Sequence, residues 1–188
     1  MESNKKIILV DFDNTIADTI GAFKRKFISS HPEEEPQRME NFKYSEIFPR
    51  YTDKYIDKFL QDNPLTDRDV RPFPDALMFL HRLKNLGCSL ILETSNPNSF
   101  FVYIWLKAWD FEKYFDDVHI GLKRNHLFGD VLVDDEPIYI FSKAREQAKI
   151  PLILIKREYN EKLAKLAEIH NPPTLTDSIP IIKQILTL

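Results

Sequence analysis

The chain has 188 residues, 43% hydrophobic and 29% charged, with a formal net charge of -3. That balance fits one globular domain with a modest insertion, supplies no basic field for long nucleic acid, and contains no apolar run long enough to span a bilayer. Cys88 is the single cysteine, which excludes an internal disulfide and a thiolate metal cluster; with the polar stretch Met1 to Lys6 showing no signal peptide, a cytoplasmic location is expected.

The first predicted element is the apolar run Ile7 to Val10, read as a buried strand, and it leads into DFDNT, with Asp11 and Asp13 either side of Phe12. Ligands of open α/β sheets bind beyond the carboxyl ends of strands, so two acids leaving this one are placed to hold a cation and act on phosphate. A helix cap made by Asp13 or Thr15 accounts for one acid but not both. From Asp18 to Val70 the chain runs much longer than a crossover needs. Phe23 and Phe27, then Tyr51, Tyr55 and Phe59, recur at helical spacing, whereas Pro32, Pro36 and Pro49 mark loops. This stretch is expected to be a small helical insertion over the crevice.

Next come a helix from Asp75 to Leu86 and a strand from Cys88 to Leu92 that ends in ETSNP. Thr94, Ser95 and Asn96 lie there at the start of the following helix, Ser99 to Trp109, and hydroxyls with helix-start amides make an anion site without glycines. A Ser/Thr cap is the plainer reading of those three residues. A third strand spans Val118 to Leu122, and Lys123 and Arg124 follow it. The fourth, Val131 to Val133, again ends in paired acids, Asp134 and Asp135, before a helix from Pro137 to Lys149. A fifth strand, Leu152 to Ile155, and helices over Asn160 to His170 and Ser178 to Leu186 complete the pattern. Strands alternating with helices predict an α/β, Rossmann-like three-layer core with a mostly parallel five-stranded sheet and a small helical cap inserted after the first strand. Two strand-end acid pairs are costly unless a cation neutralises them, and an all-oxygen site suits Mg²⁺. The five histidines are scattered and suggest no zinc site.

The D-x-D-x-T spacing after the first strand resembles the opening motif of the haloacid dehalogenase (HAD) superfamily, mostly Mg-dependent phosphohydrolases with an aspartate nucleophile. That resemblance implies Asp11 as nucleophile and metal ligand, and Asp13 as acid/base and, through its carbonyl, a further ligand. It also implies that Thr94 binds the transferring phosphoryl group and Lys123 neutralises charge, with Arg124 competing for that place. Asp134 would be a metal ligand, and Asp135 would ligate or orient. Asn14, Thr15, Ser95 and Asn96 would line the substrate site. A receiver domain has similar groups in a different order, and an inactive binding module would not need all of them.

RPFPDAL, ETSNP, Trp105 and Leu106, GDVLVDDEP, and Tyr159 with Asn160 are similar in order to the 5'(3')-deoxyribonucleotidase branch. Two positions depart from it: Asn14 stands where a Gly is usual and Thr15 where an aliphatic residue is common. The implied reaction is hydrolysis of a small phosphorylated substrate, a nucleoside or deoxynucleoside monophosphate, with sugar phosphate or phosphoglycolate as the alternative. The catalytic core would cover 1–17 and 71–188 and the cap 18–70. Aromatic faces in the cap can stack on a base, with Phe23 and Phe27 the candidates, although their spacing is that of a helix core face and most of the cap aromatics are expected to serve packing.

Overall fold

In the chain's computed structural model, residues 5–40, 43–121, 128–137, 150–167 and 169–188 are described. The apolar runs form strands β1 (Ile7–Val10), β2 (Ser89–Thr94), β3 (Asp117–Ile120), β4 (Val131–Asp134) and β5 (Leu152–Leu154). They make one sheet in the order β3-β2-β1-β4-β5 with every pairing parallel. The order reverses at β1, and such a reversal opens a crevice at the strands' carboxyl ends.

Side-chain alternation makes both faces of the sheet apolar. Ile8 and Val10, Leu90 and Leu92, Val131 and Val133, and Ile153 lie in one core. Helices α4 (Ala76–Asn85), α5 (Ser99–Ala108) and the C-terminal Ser178–Leu186 pack on that face. Leu9, Ile91, Leu132, Leu152 and Leu154 form a second cluster with the helix Glu161–Leu166. Helices cover both faces, the expected three-layer α/β architecture.

One expected helix differs from its reading. The one expected to reach His170 stops at Leu166, because the chain turns back to the sheet edge, where the His170 carbonyl accepts from Leu154 N at 2.9 Å. The one expected from Pro137 to Lys149 lies, beyond Pro137, outside the described residues.

The long stretch after β1 holds α1 (Thr19–Ser30), α2 (Tyr44–Ile47) and α3 (Asp53–Asp62). Asp18 caps α1 by accepting from Gly21 N at 3.0 Å. A Cβ on Gly21 would lie 2.0 Å from that carboxylate, so the cap requires glycine. Tyr51 precedes α3 instead of belonging to it, because Thr52 takes the capping position. Ile20, Phe23, Phe27, Met39, Ile47, Phe48, Ile56 and Phe59 bury one another in a cluster separate from the sheet's cores, joined by Tyr159 from the loop after β5. Among the described residues no helix is long and apolar enough to cross a membrane.

Candidate active site

Three strand-end loops and the insertion meet above the carboxyl end of β1. Asp11 continues β1's pairing, its N donating to Val133 O at 2.9 Å. Phe12 turns into the core, edge-on to Trp105 with ring centroids 5.0 Å apart, and so leaves the acids beside it to the crevice. Trp105 is itself fixed by its indole N–H, which donates to Val70 O at 2.8 Å.

The chain then bends sharply, with Asn14 at φ 53. Asn is one of the few residues besides Gly that tolerate this left-handed conformation, so the departure at this position preserves the turn. Its Oδ1 accepts from the Thr19 hydroxyl at 2.9 Å and from Ile20 N at 2.8 Å. Asn14 and Thr15, both expected to line the substrate site, are buried, and their side chains serve the protein's own hydrogen bonds.

At the end of β2 the Thr94 hydroxyl accepts from Asn96 N at 3.1 Å, and the Asn96 amide donates to Asp13 Oδ2 at 3.0 Å across the crevice. Ser95 is exposed there and Asn96 half-buried. Asn98 caps α5 by accepting from Phe101 N at 3.0 Å. Lys123 and Arg124 lie outside the described residues.

Asp134 and Asp135 leave β4 beside Asp11, and all three acids are buried. One carboxylate oxygen from each lies within 4.8 Å of the others. Asp134 Oδ1 accepts from Glu136 N at 2.8 Å. Asp135 accepts from the Thr15 hydroxyl at 2.9 Å and from the Tyr159 hydroxyl on its other oxygen. Burial, and then the charge of Asp134, pushes the Asp135 carboxyl above its ordinary range. Burial and the Asp135 charge hold the Tyr159 phenol well above its own, so it remains a donor. Three buried acids around one point repel one another, and an oxygen-only set of this kind fits a hard divalent cation.

Phe23 and Phe27, expected as stacking surfaces, are buried inside the aromatic cluster, with Phe27 stacked on Phe48 at 4.3 Å. Tyr44 of the insertion packs against the same cluster. Its ring lies 4.8 Å from Phe23, and burial, then Asp13 and Asp135, raise the phenol's pKa. Tyr44 appeared in the sequence only as one cap aromatic among many, and nothing local marked it out. Arg157 carried no local signal either; its Nε donates to Asn14 O at 2.7 Å and its guanidinium lies 4.0 Å over Phe73. Glu93, an odd residue for a buried strand end, is paired with His119 Nδ1 at 3.1 Å, while the other ring nitrogen lies 3.0 Å from Asp117. Burial opposes charge on His119, but its bonds to Asp117 and Glu93 prevail and raise its pKa.

A sequence profile of the family described as 5' nucleotidase, deoxy (pyrimidine), cytosolic type C protein (NT5C) matches residues 5–184. No curated protein sequence matches the chain. Among solved structures, a haloacid dehalogenase-like family hydrolase from Streptococcus pneumoniae is similar at TM-score 0.68 and 11% identity, over 95% of this chain and 98% of its own. A HAD family hydrolase from Deinococcus radiodurans, solved with bound phosphate and sodium, is similar at TM-score 0.68 and 10% identity, over 98% of this chain and 97% of its own. A predicted phosphoglycolate phosphatase from Haemophilus somnus is similar at TM-score 0.62 and 15% identity, over 97% of this chain and 100% of its own. At such identities these neighbours speak for the fold. The profile, which spans nearly the whole chain, speaks for the family: the chain belongs to the 5' nucleotidase, deoxy (pyrimidine), cytosolic type C family, a nucleotidase-like branch of the HAD phosphatases.

Proposed function

We propose that the protein is a Mg²⁺-dependent phosphomonoester hydrolase for nucleoside or deoxynucleoside monophosphates, working through an aspartyl phosphate on Asp11. The observation that carries this reading is the buried cluster of Asp11, Asp134 and Asp135 at the end of the sheet. These carboxylates would hold the cation, with the Asp13 carbonyl as a further oxygen ligand. A bound Mg²⁺ supplies positive charge against the phosphate oxygens. The similar Deinococcus radiodurans structure was solved with bound phosphate and sodium.

Asp11 attacks phosphorus in line and the ester oxygen leaves, giving the acyl phosphate. Asp13 protonates the leaving alkoxide and then takes a proton from the water that hydrolyses the intermediate. Asn96, bonded to Asp13, aims that carboxyl. The Thr94 hydroxyl, with Ser95 and Asn96 beside it, receives the phosphoryl oxygens, and Lys123, or Arg124 next to it, would supply positive charge. Segment 18–70 acts as the cap over a core of 1–17 and 71–188, and chooses the ester. The buried free thiol of Cys88 suits a reducing cytoplasm.

The test is a screen of deoxynucleoside, nucleoside and sugar phosphates and phosphoglycolate, with and without Mg²⁺, using Asp11→Asn as control. Nucleotide hydrolysis that needs both Mg²⁺ and Asp11 is expected. Equal turnover by wild type and variant would remove Asp11 as nucleophile, and turnover of sugar phosphates alone would overturn the nucleotide substrate while leaving the phosphatase assignment intact.

A further inference from the structure

Asp135 is surrounded by donors from distant parts of the chain. Its Oδ1 accepts from the Thr15 hydroxyl at 2.9 Å, its Oδ2 from the Tyr159 hydroxyl, and its backbone carbonyl from the Asn160 amide at 2.8 Å. Each carboxylate oxygen offers more than one lone pair, so a single hydroxyl bond per oxygen still leaves capacity for a cation. Thr15 lies in the loop after β1 and Tyr159 in the loop after β5, so the acid is clamped from two sides.

Tyr159 also has a second attachment. Its ring belongs to the aromatic cluster of the insertion with Phe23, Phe27, Met39 and Phe48. The loop around it is tied in both directions. Arg157 donates to Asn14 O at 2.7 Å, whereas Glu158 pairs with Lys24 at 2.9 Å and accepts from Met39 N at 3.3 Å. One side chain therefore has its ring in the cap's core and its hydroxyl on an acid of the cluster.

We propose that Thr15 and Tyr159 are positioning residues that aim Asp135 at the cation, and that Tyr159 makes the packing of the cap part of that aim. The inference rests on the cation-binding reading of the acid cluster given above. Hydroxyls that merely satisfied a buried carboxylate would be needed for folding but would not set cation affinity. Partners that orient a ligand do set it, at about 10- to 100-fold per partner.

The experiment is a titration of the substrate-free full chain with Mn²⁺, read by the electron paramagnetic resonance of the free ion, for wild type, Tyr159→Phe, Thr15→Val and Asp134→Asn, each verified as folded by circular dichroism. Tyr159→Phe keeps the ring in its cluster and removes only the hydroxyl, and Thr15→Val tests the other oxygen independently. Each is expected to weaken Mn²⁺ binding about 10-fold. Wild-type affinity in both, with binding lost in Asp134→Asn, would overturn the positioning role and leave the acid site standing. Absence of Mn²⁺ binding by wild type, or equal binding by Asp134→Asn, would overturn the site reading and this inference together. Hydrogen exchange tests the link to the cap: Mn²⁺ should slow exchange across Tyr44–Ile47 and Asp53–Asp62 in wild type and not in Tyr159→Phe. Equal slowing in both would overturn that link.

Discussion

The acid cluster and the aromatic cluster are both buried, yet burial means opposite things in them. Asp11, Asp134 and Asp135 gain nothing from apolar surroundings, and their mutual repulsion calls for a partner of opposite charge. Phe23, Phe27, Phe48 and Phe59 are stabilised by the surroundings they form, with ring centroids 4.3 Å apart for Phe27 and Phe48 and 5.0 Å for Phe27 and Phe59. A buried carboxylate at a strand end is therefore a statement about chemistry, whereas a buried phenylalanine above it is first a statement about packing. Tyr159 belongs to both regions, with its ring in the aromatic cluster and its hydroxyl on Asp135, and Tyr44 packs against the same cluster while the charges of Asp13 and Asp135 bear on its phenol.

If the acid cluster is the reacting centre, Asp11→Asn should lower kcat/KM on the order of 10⁴-fold or more without loss of fold, as steady-state assays and circular dichroism would show. The aromatic cluster should respond in the opposite sense. Phe27→Ala should cost about 3–5 kcal/mol in urea unfolding, and a cap variant that kept wild-type stability while losing activity would make Phe27 a substrate contact after all.

The charge in the acid cluster can be read through pH in cation-free protein. Burial and Asp134 raise the Asp135 pKa, so the folded state holds that proton more tightly than the unfolded one. The contribution to stability is complete below the ordinary aspartate range and is lost as pH rises through the folded-state value. Asp135→Asn should therefore flatten the decline of unfolding free energy with rising pH in EDTA, and an unchanged slope would place the cost of charge elsewhere. The smallest effect is expected outside both clusters. In Gly21→Ala a Cβ displaces the Asp18 cap, costing about 1 kcal/mol in thermal unfolding with the acid site untouched.

The acid cluster was legible in the sequence because Asp11 and the Asp134/Asp135 pair each follow an apolar run whose alternation also fixes the sheet. DFDNT and LVDD place their carboxylates at strand ends with no knowledge of the rest. Other features depend on partners far away in the chain. Thr15 and Asp135 are separated by 120 positions, Asn14 and Arg157 by 143, and nothing local to any of them announces the bond. Phe23 and Phe27 were ambiguous for a different reason, since helical spacing serves packing and a stacking surface alike. The early end of the helix at Leu166 was illegible because His170 is claimed by the backbone of β5, a tertiary competitor that periodicity does not register.

The proposed hydrolysis turns on phosphorylation of Asp11. The direct measurement is to quench a turnover of deoxynucleoside monophosphate with borohydride, which reduces an acyl phosphate to the alcohol, and to read the peptide that contains residues 7–17 by mass spectrometry. Homoserine is expected at Asp11 when substrate and Mg²⁺ are both present, and unreacted aspartate when either is omitted. Hydrolysis with Asp11 unmodified, or reduction at Asp13, Asp134 or Asp135 instead, would contradict it.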